Sequence, residues 1–227
     1  SAQFTKGDID IALIPANLAS VLYNKTEGKI QVIDINTLGV LYLVTADTSI
    51  TGMADLKGKT LYTTGKGQTP EYVITYLLNA AGLTTDDVTI EYKSEAAEVV
   101  SVLAQDPEAI GVLPQPFATV ACQQNDSLQM VSDLTAEWDA TDKGSLVTGV
   151  TVAKKAFVEE NPDLVADFLT GHEQSAAFVN ENPSDAAQLV ASYGIVEKAP
   201  VAEKALPKCN ITYLDGEDMK TALSGYL

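Results

Sequence analysis

Hydrophobic and polar residues between Lys59 and Gly82 follow two periods in succession. Thr60 to Thr64 alternates β-branched and apolar residues, a pattern that is typical of a strand. After a glycine-rich loop, apolar residues recur at helical spacing: Val73, Ile74, Leu77, Leu78, Ala80 and Ala81. Thr69 suits the N-cap of this helix, Pro70 its first turn and Gly82 its C-terminal end. The segment therefore predicts a strand, a loop and a helix whose free N–H groups point above the strand.

A second pattern is an internal repeat. The segments IALIPANLASVLY (Ile11–Tyr23) and IGVLPQPFATVAC (Ile110–Cys122) match in residue type at a constant offset of 99 residues. In each copy a short apolar strand ends at a proline-marked turn, and a helix begins at Asn17 in the first and at Pro116 in the second. The repeat predicts two similar strand-turn-helix units, one in each of two lobes.

The second lobe shows alternating strand and helix patterns. The strand and helix within Lys59–Gly82 are followed by a strand at Val88–Tyr92 and a helical run at Glu95–Ala104. This alternation predicts a parallel sheet and the α/β class. No counterpart of these elements precedes Ile11, so we expect it upstream of residue 1, and residues 2–7 are typical of a helix end. Either the sequence is a fragment or one lobe is a reduced version of the other; we favour the fragment, so the first lobe is predicted to be truncated at its N-terminus.

Two segments are predicted to cross between the lobes. Leu38–Val44 (LGVLYLV) is a continuous apolar run, as expected of a strand that is buried on both faces. The polar, turn-rich Asp47–Lys59 follows it as the first crossover, and the strand-like Leu146–Val152 is the second. We predict that Thr45–Ile50 and Leu146–Val150 lie side by side as a hinge. Lobe 1 then comprises residues 1–46 and 148–227, and lobe 2 comprises residues 47–147.

Composition and charge narrow the class of protein. With 227 residues, 46% of them hydrophobic, the chain has the composition of a folded globular protein. Its net charge of −17 argues against a nucleic-acid partner, because 14 basic residues are diluted by 31 acidic ones. The single histidine, His172, and two distant cysteines, Cys122 and Cys209, argue against a zinc site, and we expect no cofactor. The two cysteines are compatible with one disulfide or with two buried thiols.

Candidate ligand-binding residues follow from the predicted topology. In open α/β sheets, ligands bind at the carboxyl ends of parallel strands, often at helix N-termini. This rule selects residues in four loops: Asn17; Asn36 and Thr37; Thr64, Gly65, Lys66, Gly67, Gln68 and Thr69; and Gln115. Each has a structural alternative, since Asn17 is also a good N-cap and the others also suit turns or solvated loops.

The glycine-rich loop has its own chemistry. Its sequence, GKGQTP, lacks the spacing of a nucleotide-binding P-loop. Gly65 and Gly67 allow close backbone approach by the polar or anionic end of a ligand to the helix start. Lys66 either pairs with an anion or is solvated, and Trp138, in a predicted loop, either stacks on a planar ligand or seals the rim. His172 lies on an apolar helical face and is interpreted as packed rather than catalytic.

Five stretches can be compared with a known family: GDIDIALIPANLASVLYN, INTLGVLYLV, MADLKGKTLYTTGKGQTPEYV, AIGVLPQPFATVA and SLVTGVTVAKKAFVEENP. The most specific of them is ADLKGKT (Ala54–Thr60) with the glycine-rich loop after it. With them, nearly the whole chain resembles the solute-binding proteins of ABC transporters, in the branch that includes nitrate, sulfonate and thiamine-precursor binders. The resemblance implies a type II periplasmic-binding-protein fold, in which a small polar or anionic ligand is clamped between two α/β lobes. It also implies a monomeric, non-enzymatic protein that delivers its ligand to an ABC permease. Such a protein works outside the cytoplasm, in the periplasm or lipid-anchored on the outer face of the membrane.

Two alternatives share this architecture. Pyrimidine-forming enzymes of thiamine biosynthesis need a His and Cys cluster, which one histidine and two distant cysteines do not supply. Effector-binding domains of transcription regulators need a basic helix-turn-helix, which would lie upstream. The ligand itself stays open, because uncharged loop residues, one lysine and aromatic walls suit a zwitterion, a sulfonate or a pyrimidine.

Overall fold

The computed structural model describes residues 9–141 and 143–226. The strands are β1 (Ile11–Pro15), β2 (Ile30–Leu38), β3 (Leu41–Thr45), β4 (Thr60–Thr63), β5 (Thr89–Tyr92), β6 (Ile110–Pro114), β7 (Gln129–Asp133), β8 (Val147–Lys154) and β9 (Ile211–Leu214). They form two sheets, one of five strands and one of four. The helix end that the sequence predicts at residues 2–7 lies outside the described part of the chain.

Helices cover both sheets. They are α1 (Ala16–Lys25), α2 (Thr69–Ala80), α3 (Ala96–Gln105), α4 (Phe117–Gln124), α5 (Leu134–Asp139), α6 (Lys155–Glu160), α7 (Pro162–Glu181), α8 (Pro183–Ser192), α9 (Ala199–Ala205) and α10 (Gly216–Tyr226). Two short 3-10 turns, Met53–Leu56 and Leu206–Lys208, complete the set. Within residues 9–141 and 143–226, no helix is both long and apolar enough to cross a membrane.

The five-stranded sheet is built entirely from residues 41–133, in the order β5-β4-β6-β3-β7. Strand β4 is parallel to β5 and β6, whereas β3 is antiparallel to β6 and β7. Side chains of β3 alternate between two cores: Leu41 and Leu43 pack with α2, and Tyr42 and Val44 pack with α3 and α4. Both faces of the sheet are covered, which is why β3 has the continuous apolar pattern LYLVT.

The four-stranded sheet has the order β1-β8-β2-β9 and is antiparallel throughout. Helices α1 and α10 form one hydrophobic cluster with side chains of this sheet, among them Val150 and Val152 of β8. Helix α7 packs with Ile33 and Ala153 in a separate cluster. This second α/β layer confirms the predicted class of two α/β lobes.

The predicted repeat forms two equivalent units in different sheets. Strand β1 leads into α1 and then β2, and β6 leads into α4 and then β7. In both sheets the two strands of the unit flank a strand that arrives from the other lobe, giving the local orders β1-β8-β2 and β6-β3-β7. The prediction of similar strand-turn-helix units in separate lobes is confirmed, with α1 beginning at Ala16, one residue before the predicted Asn17.

The first crossover lies earlier than predicted. Strand β3 belongs to the five-stranded sheet, so the chain passes between sheets at Gly39 and Val40 and not at Thr45–Ile50. Our boundary after residue 46 therefore assigned β3 to the wrong lobe. Asp47–Lys59 does not cross at all, because Ile50, Met53 and Leu56 anchor it in the core of the five-stranded lobe.

The two crossovers nevertheless lie side by side. Leu38 at the end of β2 pairs with Val147 at the start of β8, and a Cβ placed on Gly39 would lie 2.8 Å from Leu146 Cδ2. Asn210 adds a third segment: its side-chain amide donates to Gly39 O, and Leu38 N–H donates to Asn210 O at 3.1 Å. These contacts define the hinge of the molecule.

Both cysteines are free thiols in the structure. The Cys209 thiol donates to Ala205 O at 3.3 Å, and burial raises its pKa to about 11. Burial also raises the pKa of Cys122. Of the two sequence-based alternatives, the structure therefore has the pair of thiols, both poorly ionised at neutral pH.

Gly39→Ala tests the packing of the hinge. The added Cβ would overlap Thr135 Oγ1 and crowd Leu146, so we expect a loss of about 2 kcal/mol in the free energy of unfolding, measured with urea. Gly171→Ala is the matched control, since Gly171 lies inside α7 with open space around it. Alanine suits a helix interior better than glycine, so this variant should be more stable than the parent. Adding Thr135→Ala should recover part of the loss at position 39. Equal stability of the Gly39 and Gly171 variants would contradict this account.

Candidate functional site

A cavity of about 480 Å³ lies where the two lobes meet the hinge. Both units of the repeat, the start of α2 and both crossovers contribute to its walls. The lining residues are Pro15, Asn17, Leu18, Val40, Leu41, Gln68, Thr69, Pro70, Val73, Pro114, Leu146 and Thr148. Most of this wall is apolar, and Asn17, Gln68, Thr69 and Thr148 bring side-chain hydrogen-bonding groups. We call this cavity the central cleft.

Two helix N-termini from opposite lobes face the central cleft. Helix α1 begins directly after β1 and has no acidic residue in its first turn. Helix α2 begins at Thr69, with Gln68 as its N-cap in place of the predicted Thr69, and no side chain caps it. The first backbone N–H groups of a helix have no partner within the helix. At α2, Pro70 has no N–H and the Tyr72 N–H donates to Gln68 O, so the free backbone donors there are few and lie around Thr69 and Glu71.

The glycine-rich loop before α2 is held by its own lobe. Gly65 and Gly67 both have left-handed backbones, with φ of +76° and +74°, which favour glycine. Gly67 N–H donates to the Glu71 carboxylate, and Lys66 lies 5.8 Å from the centre of the Tyr92 ring. Neither these groups nor Thr64 lines the central cleft among the described residues. Of the predicted loop, only Gln68 and Thr69 do.

Asn36 and Thr37 belong to a polar network beside the hinge and not to the lining of the central cleft. Thr37 Oγ1 donates to Asn36 Oδ1 at 2.9 Å, and Asn36 Nδ2 donates to Thr151 Oγ1 at 3.2 Å. Thr151 Oγ1 in turn donates to Asp34 Oδ1 at 2.7 Å. The network joins β2 to β8 and gives the buried polar side chains between these strands their hydrogen-bond partners.

His172 completes this network from α7. Its Nδ1 lies 3.0 Å from Asp34 Oδ2, and the Asp34 side chain is 0% exposed. The rings of Phe168 and Tyr213 lie 5.6 and 6.1 Å from the His172 ring. The histidine is packed, in agreement with our interpretation. Sequence reasoning missed Asp34, although a lone carboxylate in the apolar run VIDI was a signal for a buried partner.

Gln115 lies behind the wall of the central cleft. Its Oε1 accepts from Thr119 Oγ1 at 2.8 Å, and its Nε2 lies 3.3 Å from Met130 Sδ. Its neighbour Pro114, the last residue of β6, is the one that lines the cleft. In this conformation Gln115 stabilises the turn into α4.

Trp138 lies in helix α5, where we predicted a loop, and is 7% exposed. Its Nε1 donates to Gly144 O at 2.9 Å, and its ring lies 4.5 Å from Tyr76 and 6.1 Å from Tyr226, measured between centroids. A second cavity of about 320 Å³ adjoins these rings, lined by Asn17, Ser20, Tyr72, Val73, Tyr76, Trp138 and Tyr226. It shares Asn17 and Val73 with the central cleft. We call this cavity the aromatic compartment.

Sequence reasoning missed the hinge residues of the central cleft, namely Val40, Leu41, Leu146 and Thr148. Val40 and Leu41 were interpreted as residues of a buried strand because the first crossover was placed too late in the chain, and Leu146 and Thr148 were predicted at the hinge but not as part of the site. The tyrosines of α2 were missed for another reason. Tyr72 and Tyr76 are spaced by one helical turn on the side of α2 that faces the other lobe, and nothing in one lobe's sequence indicates that face.

Two α/β lobes joined by adjacent crossovers, with a cleft between them, define the fold of the periplasmic binding proteins. The family model described as NMT1/THI5-like matches residues 26–186, and the chain belongs to this family. A protein of Brucella abortus (strain 2308), named as a candidate binding protein, is 25% identical over 210 residues. That alignment covers 89% of this chain and 64% of the relative, so the chain spans less than two thirds of the relative's length.

Solved structures share the fold. An ABC transporter structure from Parabacteroides distasonis has a TM-score of 0.82 and 26% identity, over 99% of this chain and 75% of that one. The periplasmic aliphatic sulphonate binding protein SsuA from Escherichia coli has a TM-score of 0.77 and 18% identity, over 99% of this chain and 71% of that one. The desulfurization enzyme DSZB has a TM-score of 0.63 and 15% identity, over 96% of this chain and 78% of that one, so this fold also occurs in an enzyme.

His172→Ala tests the buried network. It leaves a fully buried carboxylate with one partner fewer, so we expect a loss of about 3 kcal/mol in the free energy of unfolding, measured with urea at pH 7. His172→Gln, whose amide can still donate to Asp34, should lose less.

Lys220→Ala is the control for this experiment, because it removes an exposed pair with Glu217 and should change stability by less than about 1 kcal/mol. If His172→Ala were no more destabilising than Lys220→Ala, Asp34 would not depend on the histidine.

Proposed function

We propose that this chain is the ligand-binding part of the solute receptor of an ABC importer, which captures a small polar molecule between its lobes and delivers it to a membrane permease. The observation that carries the proposal is the central cleft, which is lined by both lobes and by both crossovers. A cleft built in this way changes its volume whenever the lobes rotate about the hinge. Ligand capture and a change of shape are then the same event.

Closure brings the starts of α1 and α2 toward one ligand from opposite sides. We assign direct contacts to Asn17 on one lobe and to Gln68 and Thr69 on the other. Their N–H groups and side chains suit carbonyl, hydroxyl or amide groups of a ligand. Of the other residues predicted from the sequence, Trp138 lines the adjoining aromatic compartment, and we propose that the rest support the site without direct ligand contact: Asn36, Thr37, Thr64, Gly65, Lys66, Gly67 and Gln115.

The cellular setting follows from the same proposal. A receptor of this kind acts outside the cytoplasm, in the periplasm or anchored by a lipid to the outer face of the cell membrane. It acts as a monomer, without cofactor, and without nucleic acid as a partner. Proteins of similar structure support the setting, since they include a periplasmic sulphonate binding protein and an ABC transporter.

An enzymatic role is the second candidate, and the fold shared with a desulfurization enzyme favours it. Against it, residues 9–141 and 143–226 contain no group of three His, Cys, Asp or Glu side chains placed to hold a metal. His172 is paired with the buried Asp34, and both cysteine thiols have raised pKa values. We therefore propose binding without chemistry.

A thermal-shift screen followed by small-angle X-ray scattering tests the proposal. We expect at least one small polar compound to raise the melting temperature and to reduce the radius of gyration, because binding closes the lobes. The compound should be recovered unchanged after incubation. A compound that is converted would favour the enzyme, and a compound that binds without any change in the scattering would contradict capture by closure.

Asn17→Ala tests the assigned contact on the first lobe. Removing one ligand hydrogen bond should weaken the compound found in the screen by about tenfold, measured by isothermal titration. Asn24→Ala is the matched control on the same helix, where the side chain is exposed and lies outside the central cleft. The assignment fails if the two variants bind equally well.

A further inference from the structure

We propose that the ligand is an uncharged molecule with a single aromatic ring, and that this ring occupies the aromatic compartment beside the central cleft. The inference rests on the proposed function and names the chemical class of its ligand. It decides between the polar and the anionic ligands that the sequence left open.

The aromatic compartment is assembled from both lobes. Tyr72 and Tyr76 lie on α2 and Trp138 on α5, whereas Tyr226 and Ser20 come from α10 and α1 of the other lobe. Closure therefore narrows the compartment together with the central cleft. Asn17 lies at the junction and can bond a substituent of a ring seated beside it.

The polar ends of these aromatic side chains are already satisfied by the protein. Tyr76 Oη donates to Thr141 Oγ1 at 2.8 Å, and Trp138 Nε1 donates to Gly144 O at 2.9 Å. The Tyr72 hydroxyl donates to Gly67 O at 3.4 Å. Tyr76 and Trp138 are thus fixed in orientation before the ligand arrives, and each offers the cavity its ring surface. Stacking and edge contacts with another ring are the interactions that such surfaces favour.

Charge argues against an anionic ligand. All 14 basic residues of the sequence are lysines, so it offers no bidentate guanidinium to a sulfonate or carboxylate. Among the described residues that line the two cavities there is no lysine, and Lys66, the predicted candidate, lies over Tyr92 instead. An anion in either cavity would have no positively charged side chain beside it.

The helix N-termini do not offset this deficit. Each is worth up to about 2 kcal/mol to a partly buried anion, whereas burying an unpaired ion costs several kcal/mol. At α2 the Glu71 carboxylate already occupies the N–H of Gly67. The donors at the two helix ends therefore suit neutral acceptor atoms better than a full negative charge.

Fluorescence of Trp138, the single tryptophan of the chain, provides the test. We would titrate the protein with benzamide, nicotinamide and thymine as uncharged rings, with benzenesulfonate as a charged ring, and with ethanesulfonate as an anion without a ring. We expect at least one uncharged ring to change the emission with half-saturation below about 1 mM. Benzenesulfonate should bind at least about tenfold more weakly, and ethanesulfonate should have no effect.

The variant Tyr72→Leu tests whether the change in fluorescence comes from binding in the aromatic compartment. Tyr72 is 58% exposed, so the variant should fold normally, and it should weaken binding of the uncharged ring about fivefold. Tyr193→Leu removes a ring that is 79% exposed elsewhere on the molecule and should bind like the parent. The inference is overturned if ethanesulfonate saturates the protein, if none of the uncharged rings binds, or if Tyr72→Leu binds them unchanged. The scattering experiment judges the proposed function separately, because closure by an anion would support the receptor and refute only the ligand class.

Discussion

Each sheet contains, between two strands of its own lobe, a strand that arrives from the other lobe. Strand β3 enters between β6 and β7, and β8 returns between β1 and β2. These inserted strands are hydrogen-bonded on both sides, so each crossover is fixed to the interior of the sheet that it enters. The insertion also places the two crossovers side by side, where Leu38 pairs with Val147. Hinge and cleft are therefore consequences of how the sheets are completed.

Residues at the hinge supply much of the apolar wall of the cleft. Apolar residues of both crossovers, Val40, Leu41 and Leu146, form its base, and the polar groups stand above them at the first turns of α1 and α2. The glycine-rich loop, which has the most distinctive sequence, contributes few groups to the cleft. Its Gly67 N–H is bonded to Glu71 and its Lys66 lies over Tyr92, both in the same lobe. Burial and the nearby Glu71 carboxylate raise the pKa of Tyr92 to about 12, so this ring stays neutral beside Lys66.

Local patterns predicted most of the fold, and long-range packing accounts for the rest. The period of the residues around Val73 indicated α2, and the repeat indicated two units, because both signals lie within short segments. The position of the first crossover did not follow, since LGVLYLV is apolar throughout and gives no sign that Gly39 and Val40 leave the sheets. For the site, Asn17, Gln68 and Thr69 were predicted from strand ends, whereas the aromatic compartment depends on how the lobes face each other.

The insertion of β8 between β1 and β2 also sets an order of events during synthesis on the ribosome. The five-stranded sheet needs only residues 41–133 and can form while the rest of the chain is still being made. Strands β1 and β2 emerge earlier, yet they do not pair with each other, because β8 lies between them and is translated more than a hundred residues after β2 begins. Until β8 is made, the edges of β1 and β2 that pair with it have no native strand partner. The assembly of β1 and β2 into the four-stranded sheet therefore has to wait for β8, although both strands precede the five-stranded sheet in the chain.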